Sequence, residues 1–460
     1  MTELARAMPF RSVVSTSTGL AFAAIEYLAV AGLLTVVAGD LAWLAVLASG
    51  GLVLLAWAYF SELCGIFPTA AAIRRYMQSS MDDRVALTIT FTYMTTIVLV
   101  IAADAYIVGS AIADALNEPR WLVTLWIALL LAVATWTNLR GLTVAAAVQD
   151  VATTLIVLLS VGIGVLAVTH DPTPAAQALD ATRETGIGGF IQAVALGVLL
   201  FSAFEWVTTN AEEVTHQHHI PRGMLVSLAI LATTCALLAY GMGRLLGDGE
   251  ISSAFPQLAL GRHVGGNAGY WVMFGVTVLT ALNTFNGGFI TASRFIYATA
   301  REGALPRAAA KLNDNFVPWV PVVGLAVASL VVSVVVALTG AWLVLLSVGA
   351  ALESMIFAVA GYCVWSLRRR QPHVDRPFRM RYAGPLGLFG AVLFGLLALI
   401  ASVSVDDEVD LRPLLIIAVI AAAAAAYVLA YVPRLRAAAA ARESAAPTRR
   451  RPVPASVEES

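Results

Sequence analysis

Long apolar runs dominate this chain, and each of them is long enough to cross a lipid bilayer as an α-helix. A transmembrane helix needs about 20 mostly apolar residues, and runs such as residues 41–67 are continuous. Because apolar and polar residues do not alternate in these runs, they exclude a membrane β-barrel. Hydrophobic residues make up 59% of the chain and charged residues only 12%, compared with about 25% charged in soluble domains. The composition therefore argues against a water-soluble enzyme.

Twelve spans, numbered 1 to 12 in chain order, are predicted from the places where polar residues, proline and glycine interrupt the apolar sequence. They cover residues 13–37, 41–67, 85–115, 121–138, 143–168, 187–211, 224–246, 267–299, 320–339, 342–366, 384–404 and 413–432. A transmembrane domain (13–432) thus lies between an N-terminal segment (1–12) and a tail (433–460). The tail consists mainly of Ala, Arg, Pro and Ser, so we expect it to be disordered. The sequence predicts an all-α integral membrane protein.

The arginine and lysine residues predict how the chain is oriented. Of the 28 such residues, 23 fall in the N-terminal segment, the tail and the loops on the same side of the membrane. We call this the arginine-rich side. Because positively charged loops are retained in the cytoplasm, both termini are predicted to be cytoplasmic, in a multi-pass protein of the cytoplasmic (inner) membrane.

Two spans contain polar interruptions near their middle. Span 1 carries the polar cluster at residues 15–19, and span 6 carries residues 201–205 (FSAFE). Breaks at matching positions of two halves, here five spans apart, are typical of inverted-repeat transporters with a binding site at the midplane. Alternatively, the serine and threonine hydroxyls bond to their own helix or pack against neighbours, and both helices are continuous.

Three further motifs occur in order along the chain. The first is residues 58–63 (AYFSEL) followed by 67–70 (FPTA); the second is 201–205 with 212–214 (EEV) and 220–222 (IPR); the third is 292–297 (ASRFIY) with 301–306 (REGALP). Together, over residues 10–435, they resemble the motifs of the amino acid–polyamine–organocation (APC) permeases. The third motif is the most specific of the set.

The resemblance implies a leucine-transporter-type fold, in which two inverted repeats of five spans are followed by two additional helices. Repeat 1 would cover residues 13–168, repeat 2 residues 187–366, and the additional helices residues 384–432. It also implies a secondary transporter of amino acids or related amines that works by alternating access, with spans 1, 2, 6 and 7 rocking against the others. The substrate would be held by backbone at the two breaks, at Ser17, Thr18, Gly19, Leu20, Phe201, Ser202, Ala203 and Phe204.

The sequence departs from the family pattern at two places. Where span 1 of the family reads G-[ST]-G-I-F, this chain has Ser17-Thr18-Gly19-Leu20-Ala21, which weakens the expectation of a standard α-amino acid substrate. In span 5, Ile156 stands where some members carry a lysine near the ion site. Coupling through such a lysine is therefore not expected here.

Glu26, Asp104, Glu205 and Glu353 are acidic residues within predicted spans. A charged side chain at the bilayer centre costs about 2.5–3.5 kcal/mol on insertion scales, so we expect these groups to face the bundle interior, to be protonated, or both. Glu205 matches a family glutamate beside the sixth-span break, and we expect it, with Glu26 or Asp104, to link proton binding to opening and closing. Glu26 lies about two helical turns beyond Gly19 and is suited to attract a substrate ammonium group. The alternative is a structural role, with each protonated carboxyl bonded to a neighbouring helix.

Span 8 carries three polar residues within one turn: Asn283, Thr284 and Asn286. Their oxygens could bind a sodium ion together with carbonyl groups of span 1, or they could simply form interhelical hydrogen bonds. The pattern predicts no cofactor, no metal centre and no nucleic-acid partner; the expected partners are the substrate, a coupling ion (H⁺, with Na⁺ as an alternative) and the lipid bilayer.

Other functional readings stay open from the sequence. The additional acids favour a purely cationic cargo, such as a polyamine or a basic amino acid, whereas the retained Gly19 favours a substrate with a carboxylate. A protein of another class, a non-transporting membrane sensor or the partner subunit of a complex, would be expected to carry an appended signalling domain. A membrane enzyme would require convergent histidines or metal ligands within the spans.

Overall fold

The computed structural model describes residues 6–37, 39–177, 186–405 and 408–445, and helices account for most of them. The spans are Phe10–Ala21 with Ile25–Val36 (span 1), Gly39–Ile66 (2), Asp83–Ala115 (3), Val123–Leu139 (4), Leu142–Val168 (5), Ile187–Gly197 with Val198–Phe201 and Phe204–Asn210 (6), His219–Leu245 (7), Pro256–Arg301 (8), Trp319–Thr339 (9), Trp342–Arg370 (10), Ala383–Ser402 (11) and Arg412–Ala430 (12). Eleven helices in the described ranges are long and apolar enough to cross a membrane, and the bent pair of span 1 adds a twelfth. The predicted all-α architecture is confirmed.

Span 8 is longer than predicted because a second helical segment precedes it. Its helix begins at Pro256, but Gly265 and Gly266 leave the helical region, with a φ of +58° at Gly266. The chain turns back at these glycines, so that Gly261 packs directly against the backbone of Gly269. Only glycine allows two backbones to approach so closely. The predicted start at residue 267 is therefore the start of the membrane-crossing part.

Span 1 is broken, but not at the predicted residues. Its two halves meet at an angle of 56°, with the break at residues 22–24. The predicted break at residues 15–19 is wrong, since it lies at least one turn before the observed one: these residues are helical, and the N–H of Phe22 still donates to the carbonyl of Thr18 at 2.8 Å. Ser17, Thr18, Gly19 and Leu20 are consequently helical and form the buried end of the first half-helix.

Span 6 is interrupted where the sequence predicted. An α-helix tightens into a 3₁₀ turn that ends at Phe201, Ser202 is extended, and Ala203 has the left-handed φ of +68°. A second 3₁₀ helix, Phe204–Asn210, then follows. A non-glycine residue in this region carries backbone strain of about 1–2 kcal/mol. The discontinuity is therefore held in place by the packing around it.

The expectation of a disordered tail is wrong for its first part. Val432–Ala445 forms a helix after span 12, consistent with the high helix propensity of its alanine run. Arg436 of this helix donates to Asp83 at the start of span 3 at 2.9 Å. The rest of the predicted tail, residues 446–460, lies outside the described residues.

The spans differ in how much apolar surface they expose. Spans 11 and 12 expose aliphatic side chains along their length, such as Leu399 and Val419, which is expected of helices that face lipid tails. Phe60, Phe204 and Phe357 pack edge to face or tilted in the centre, where spans 2, 6 and 10 meet. A multi-pass membrane protein with a tightly packed centre follows from this arrangement.

Candidate substrate and coupling site

The break in span 6 contacts the first half of span 1. The hydroxyl of Ser17, near the end of the first half of span 1, donates to the carbonyl oxygen of Phe204 at 2.8 Å. Both residues are buried. Phe201 and Ala203 on the other side of the span 6 break are buried as well, while Ser202 is half-buried. The structure thus brings the two predicted backbone segments together, with the broken end of span 6 against the helical end of span 1.

Gly19 serves close packing rather than a helix break. A Cβ atom there would lie 2.2 Å from Nδ2 of Asn283, 2.3 Å from Nε2 of Gln149 and 2.6 Å from Oγ1 of Thr153. The helix continues through Gly19, and spans 5 and 8 approach it on the side where a larger residue would have a side chain. This close approach of spans 5 and 8 therefore requires a glycine at position 19.

The three polar residues of span 8 form hydrogen bonds with neighbouring spans. Asn286 donates to the carbonyl of Ala145 and to Oε1 of Gln149, both at 2.8 Å, and its own oxygen accepts from Thr137 and Asn138. Asn283 donates to Thr153 at 2.9 Å, and Thr284 donates to the carbonyl of Gly19 at 3.4 Å. These contacts are interhelical hydrogen bonds, which the sequence offered as the alternative to a sodium site at this cluster.

Span 5 contributes two polar residues that the sequence analysis missed. The hydroxyl of Thr153 donates to the carbonyl of Ser15 at 3.0 Å, and the amide of Gln149 approaches the same carbonyl at 3.5 Å. Gln149 and Thr153 are four residues apart and therefore share one helix face. This spacing could have identified them from the sequence as a polar pair in an apolar span. The carbonyl of Ser15 in span 1 thus accepts from uncharged side-chain donors of span 5.

Glu205 and Glu353 are brought together by one tyrosine. The hydroxyl of Tyr93, in span 3, lies 2.5 Å from Oε1 of Glu205 and 3.3 Å from Oε2 of Glu353. The indole N–H of Trp206 donates to the other oxygen of Glu353 at 3.1 Å, and its ring stacks on Tyr93. Both carboxyl groups are buried. No sequence motif pointed to Tyr93, because an isolated tyrosine in an apolar span is common.

The hydrogen-bond donors around this pair do not suffice for two carboxylates. The tyrosine hydroxyl has one hydrogen and the indole has one, yet three contacts are made, and a proton on one carboxyl group would satisfy the third. Two buried carboxylates close to each other also repel each other strongly. Among the residues that the structure describes, Oε2 of Glu205 has no hydrogen-bond partner. The arrangement therefore favours a proton on at least one of the two carboxyl groups.

Glu26 and Asp104 form a second acidic pair, at the break in span 1. Oδ1 of Asp104, from span 3, accepts from the backbone N–H of Ile25 at 3.1 Å. Glu26 is the next residue along and lies close enough to Asp104 for the two charges to interact. Oδ2 of Asp104 and Oε2 of Glu26 are buried without a hydrogen-bond partner. No ion pair to either carboxyl occurs within the described ranges.

The three sequence motifs converge at the arginine-rich side. Glu213 and Arg294, from the second and third motifs, form an ion pair of 3.0 Å with 2% and 1% of their side chains exposed. Glu212 pairs with Arg301 at 3.0 Å and also accepts from the backbone N–H of Ala70 in the first motif. The loops after spans 2 and 6 are thereby joined to the end of span 8.

Two further ion-pair clusters lie at the same side. Glu62 of the first motif accepts two hydrogen bonds from Arg368 at 2.8 and 2.7 Å, and a third from the N–H of Met380. The buried Arg74 pairs with Asp83 and with Glu302. Burial raises the pKa of Glu302 above its usual value, while the guanidinium of Arg74 acts in the opposite direction. These clusters tie spans 2, 3, 8 and 10 together where the chain is most positively charged.

Comparison with known proteins agrees with this architecture. Residues 9–426 match the family described as "Amino acid permease". The chain is 25% identical over 294 residues to a gamma-aminobutyric acid permease of Bacillus subtilis, covering 59% of this chain and 60% of that protein. It is 24% identical over 277 residues to the large neutral amino acids transporter small subunit 2 of Oryctolagus cuniculus, covering 56% and 49%. A branched-chain amino acid permease of Lactococcus lactis is 29% identical over 196 residues, or 41% of each chain.

The aligned regions thus span about two fifths to three fifths of these relatives. The family match, in contrast, covers nearly all of the chain and includes all twelve spans except the last residues of span 12. Because the match runs from the first span to the twelfth, the chain belongs to the amino acid permease family, within the APC superfamily.

Proposed function

We propose that this protein is a secondary active transporter that carries an amino acid or a related amine across the cytoplasmic membrane by alternating access. The observation that carries the proposal is the contact between the two discontinuous spans, made by the Ser17 hydroxyl and the Phe204 carbonyl. Discontinuous helices offer backbone polar groups in the middle of a bilayer, where a continuous helix has none to spare. In this proposal the substrate is held by residues 17–20 and 201–204 together with the start of the second half of span 1.

The names of the relatives support a small zwitterionic or aminated cargo. They are named for gamma-aminobutyric acid, large neutral amino acids and branched-chain amino acids, which share an amino group and a carboxylate and differ in the spacing of these groups and in the side chain. For this chain we propose a substrate with a primary amino group, which a related amine has in common with these amino acids. The distribution of arginine and lysine supports cytoplasmic termini.

We assign proton coupling to the pair of Glu205 and Glu353. Glu205 directly follows the break in span 6, and a proton on one of the two carboxyl groups would satisfy the contacts that Tyr93 and Trp206 make with the pair. A change of proton number there alters the contacts between spans 3, 6 and 10. Sodium binding near Asn283, Thr284 and Asn286 is the alternative, but neutral hydrogen bonds already use most of these groups.

The proposal is tested by reconstituting the full chain in liposomes and measuring the uptake of radiolabelled amino acids and amines. A pH gradient is imposed first, then a sodium gradient, and then neither. One proton per substrate and a gradient of one pH unit drive up to about tenfold accumulation. We expect accumulation with the pH gradient alone. A protein that binds substrates without accumulating or exchanging any of them would be a sensor, and the proposal would be wrong.

Glu205→Gln tests the assigned coupling group, and Asp114→Asn is its control. Asp114 is exposed near the end of span 3 and, like Glu205, loses one carboxylate. We expect Glu205→Gln to abolish accumulation driven by the pH gradient while exchange of labelled for unlabelled substrate continues. Accumulation at the wild-type level by Glu205→Gln would exclude Glu205 as the coupling group.

A further inference from the structure

The second half of span 1, Ile25–Val36, starts inside the protein with its amino end capped by a side chain from another span. The N–H of Ile25 donates to Oδ1 of Asp104 at 3.1 Å. The amino end of a helix presents free N–H groups and a partial positive charge, and it is therefore where a ligand carboxylate or other anion binds. In this protein a carboxyl group of the chain itself occupies that place.

The same place holds carboxyl oxygens that lack donors. Asp104 is fully buried and its Oδ2 has no partner; Glu26, in the first turn of the half-helix, is 7% exposed and its Oε2 has none either. The two groups lie close enough to interact electrostatically. Buried acceptors are normally satisfied, so two unsatisfied oxygens from neighbouring acids indicate a missing donor that bears positive charge.

None of the described residues that pack around the break bears a positive charge. Ala23, Ile25, Ala103 and Ile107 pack together around the break, with Tyr106, Phe255 and Trp342 among the side chains against them. This lining is apolar and aromatic, which suits the hydrocarbon part of an organic cation and can stack on its charge. A primary ammonium group has three hydrogens to donate, enough for Asp104 and Glu26 together.

We propose that the substrate is a primary amine without an α-carboxylate, bound between Glu26 and Asp104, with Asp104 taking the place that the carboxylate of an amino acid would occupy at the start of the half-helix. This inference rests on the proposed transport function and narrows its substrate class. An α-amino acid would bring a further carboxylate next to the two acids and would find the N–H of Ile25 already bonded. A decarboxylated amine with the same side chain meets neither obstacle.

Pairs of molecules that differ only in the carboxylate test the inference. Phenethylamine and phenylalanine, isoamylamine and leucine, and putrescine and ornithine are each added to the purified full chain in detergent, and thermal stabilisation is measured as a function of concentration. The same pairs then compete for uptake in liposomes. We expect each amine to bind at least about tenfold more tightly than its amino acid, as one charge-assisted hydrogen bond gained or lost allows.

Variants separate a binding role from a structural one. Asp104→Asn keeps the shape of the side chain and removes its charge; Asp114→Asn makes the same change ten residues further along span 3, at an exposed site. We expect Asp104→Asn to reduce the amine-to-amino-acid binding ratio by at least about tenfold, and Asp114→Asn to leave it unchanged. We expect the same reduction of the ratio for Glu26→Gln, and this variant replaces Asp104→Asn in the test if Asp104→Asn does not fold.

Each result decides the question. Amino acids that bind as well as or better than their amines, or six probes that all fail to stabilise the protein, would overturn the inference, as would an unchanged ratio in Asp104→Asn or Glu26→Gln. If amino acids are the better substrates but accumulate in liposomes, the transport function stands and only the substrate class is wrong. If liposomes neither accumulate nor exchange any amine or amino acid, the proposed function fails as well.

Discussion

Removing Arg294 should destabilise the protein strongly, and removing its partner as well should restore much of the loss. Arg294 and Glu213 join span 8 to the loop after span 6, and at 1% and 2% exposure neither reaches water. Arg294→Met keeps most of the side-chain volume but leaves the Glu213 carboxylate buried beside a single amide, that of Asn210 at 3.0 Å. Breaking a buried ion pair from one side costs about 3–5 kcal/mol.

The double variant Arg294→Met with Glu213→Gln should lower the free energy of unfolding by less than either single change does. A glutamine at position 213 has no charge and can still accept from Asn210. What is lost then is the contact of Arg294 with Ser293, which leaves a hydroxyl short of one partner, at about 1–3 kcal/mol. Additive single variants would instead predict a loss of roughly 6–10 kcal/mol. The difference is large enough to measure.

The chain contains its own control for this experiment. Arg301 and Glu212 form an ion pair with the same 3.0 Å separation, seven residues further along span 8 and one residue earlier in the loop, but with 32% and 27% of their side chains exposed. Pairs that reach solvent contribute about 0–1 kcal/mol. Glu212 also keeps its contacts with Thr69 and Ala70. We therefore expect Arg301→Met to cost less than 1 kcal/mol.

Equilibrium unfolding in mixed detergent micelles, followed by tryptophan fluorescence, gives the free energies for all four variants. A loss in Arg294→Met no larger than that in Arg301→Met would contradict the reasoning, because burial is the main difference between the two pairs. Additive losses in the double variant would likewise show that the two side chains do not depend on each other.

Three other changes have expected outcomes that follow from single contacts. Ala203→Gly should raise the free energy of unfolding by about 1 kcal/mol, since the φ of +68° strains alanine but not glycine; a loss of stability would show that the methyl group matters more. Gly19→Ala should lower the free energy of unfolding by about 1–3 kcal/mol, because the new Cβ would lie 2.2 Å from the amide of Asn283. An unfolding free energy equal to that of the wild type would show that spans 5 and 8 can move apart at little cost. Tyr93→Phe should weaken proton-driven accumulation in liposomes and leave exchange intact, because the hydroxyl that links the two acids is gone; unchanged accumulation would show that the link is not needed.

The spans could be predicted from the sequence because bilayer thickness imposes a length that apolar runs reveal directly. Predicted and observed ends differ by no more than five residues except at the start of span 8, as for span 3 (85–115 against Asp83–Ala115). The break in span 6 was also found, since Glu205 follows it and acids are rare in apolar helices. The break in span 1 was misplaced because the polar cluster at residues 15–19 suggested an interruption, whereas these residues are helical and Gly19 lets spans 5 and 8 come close.

Contacts between distant segments could not be predicted, because they depend on how the spans pack. Tyr93 and Gln149 are ordinary residues in their own spans, and only the fold sets one beside Glu205 and the other beside Ser15. The pairing of Glu213 with Arg294 was likewise hidden, although both lie in motifs that resemble the family. Sequence patterns identified which residues were unusual but not which of them meet.

Glu26, Asp104, Glu205 and Glu353, which the sequence presented as one group, divide into two pairs, to which we assign different tasks. Tyr93, which contacts one pair, and Asp104, which belongs to the other, are eleven residues apart in span 3, or about 16 Å along the helix. In our proposal, the pair beside Tyr93 binds the proton, and the pair at the start of the half-helix binds the substrate ammonium group. Cargo and proton would then bind at separate heights. Coupling between them would pass through span 3, which contributes to both pairs, and through the contact of Ser17 with Phe204, which joins span 1 to span 6.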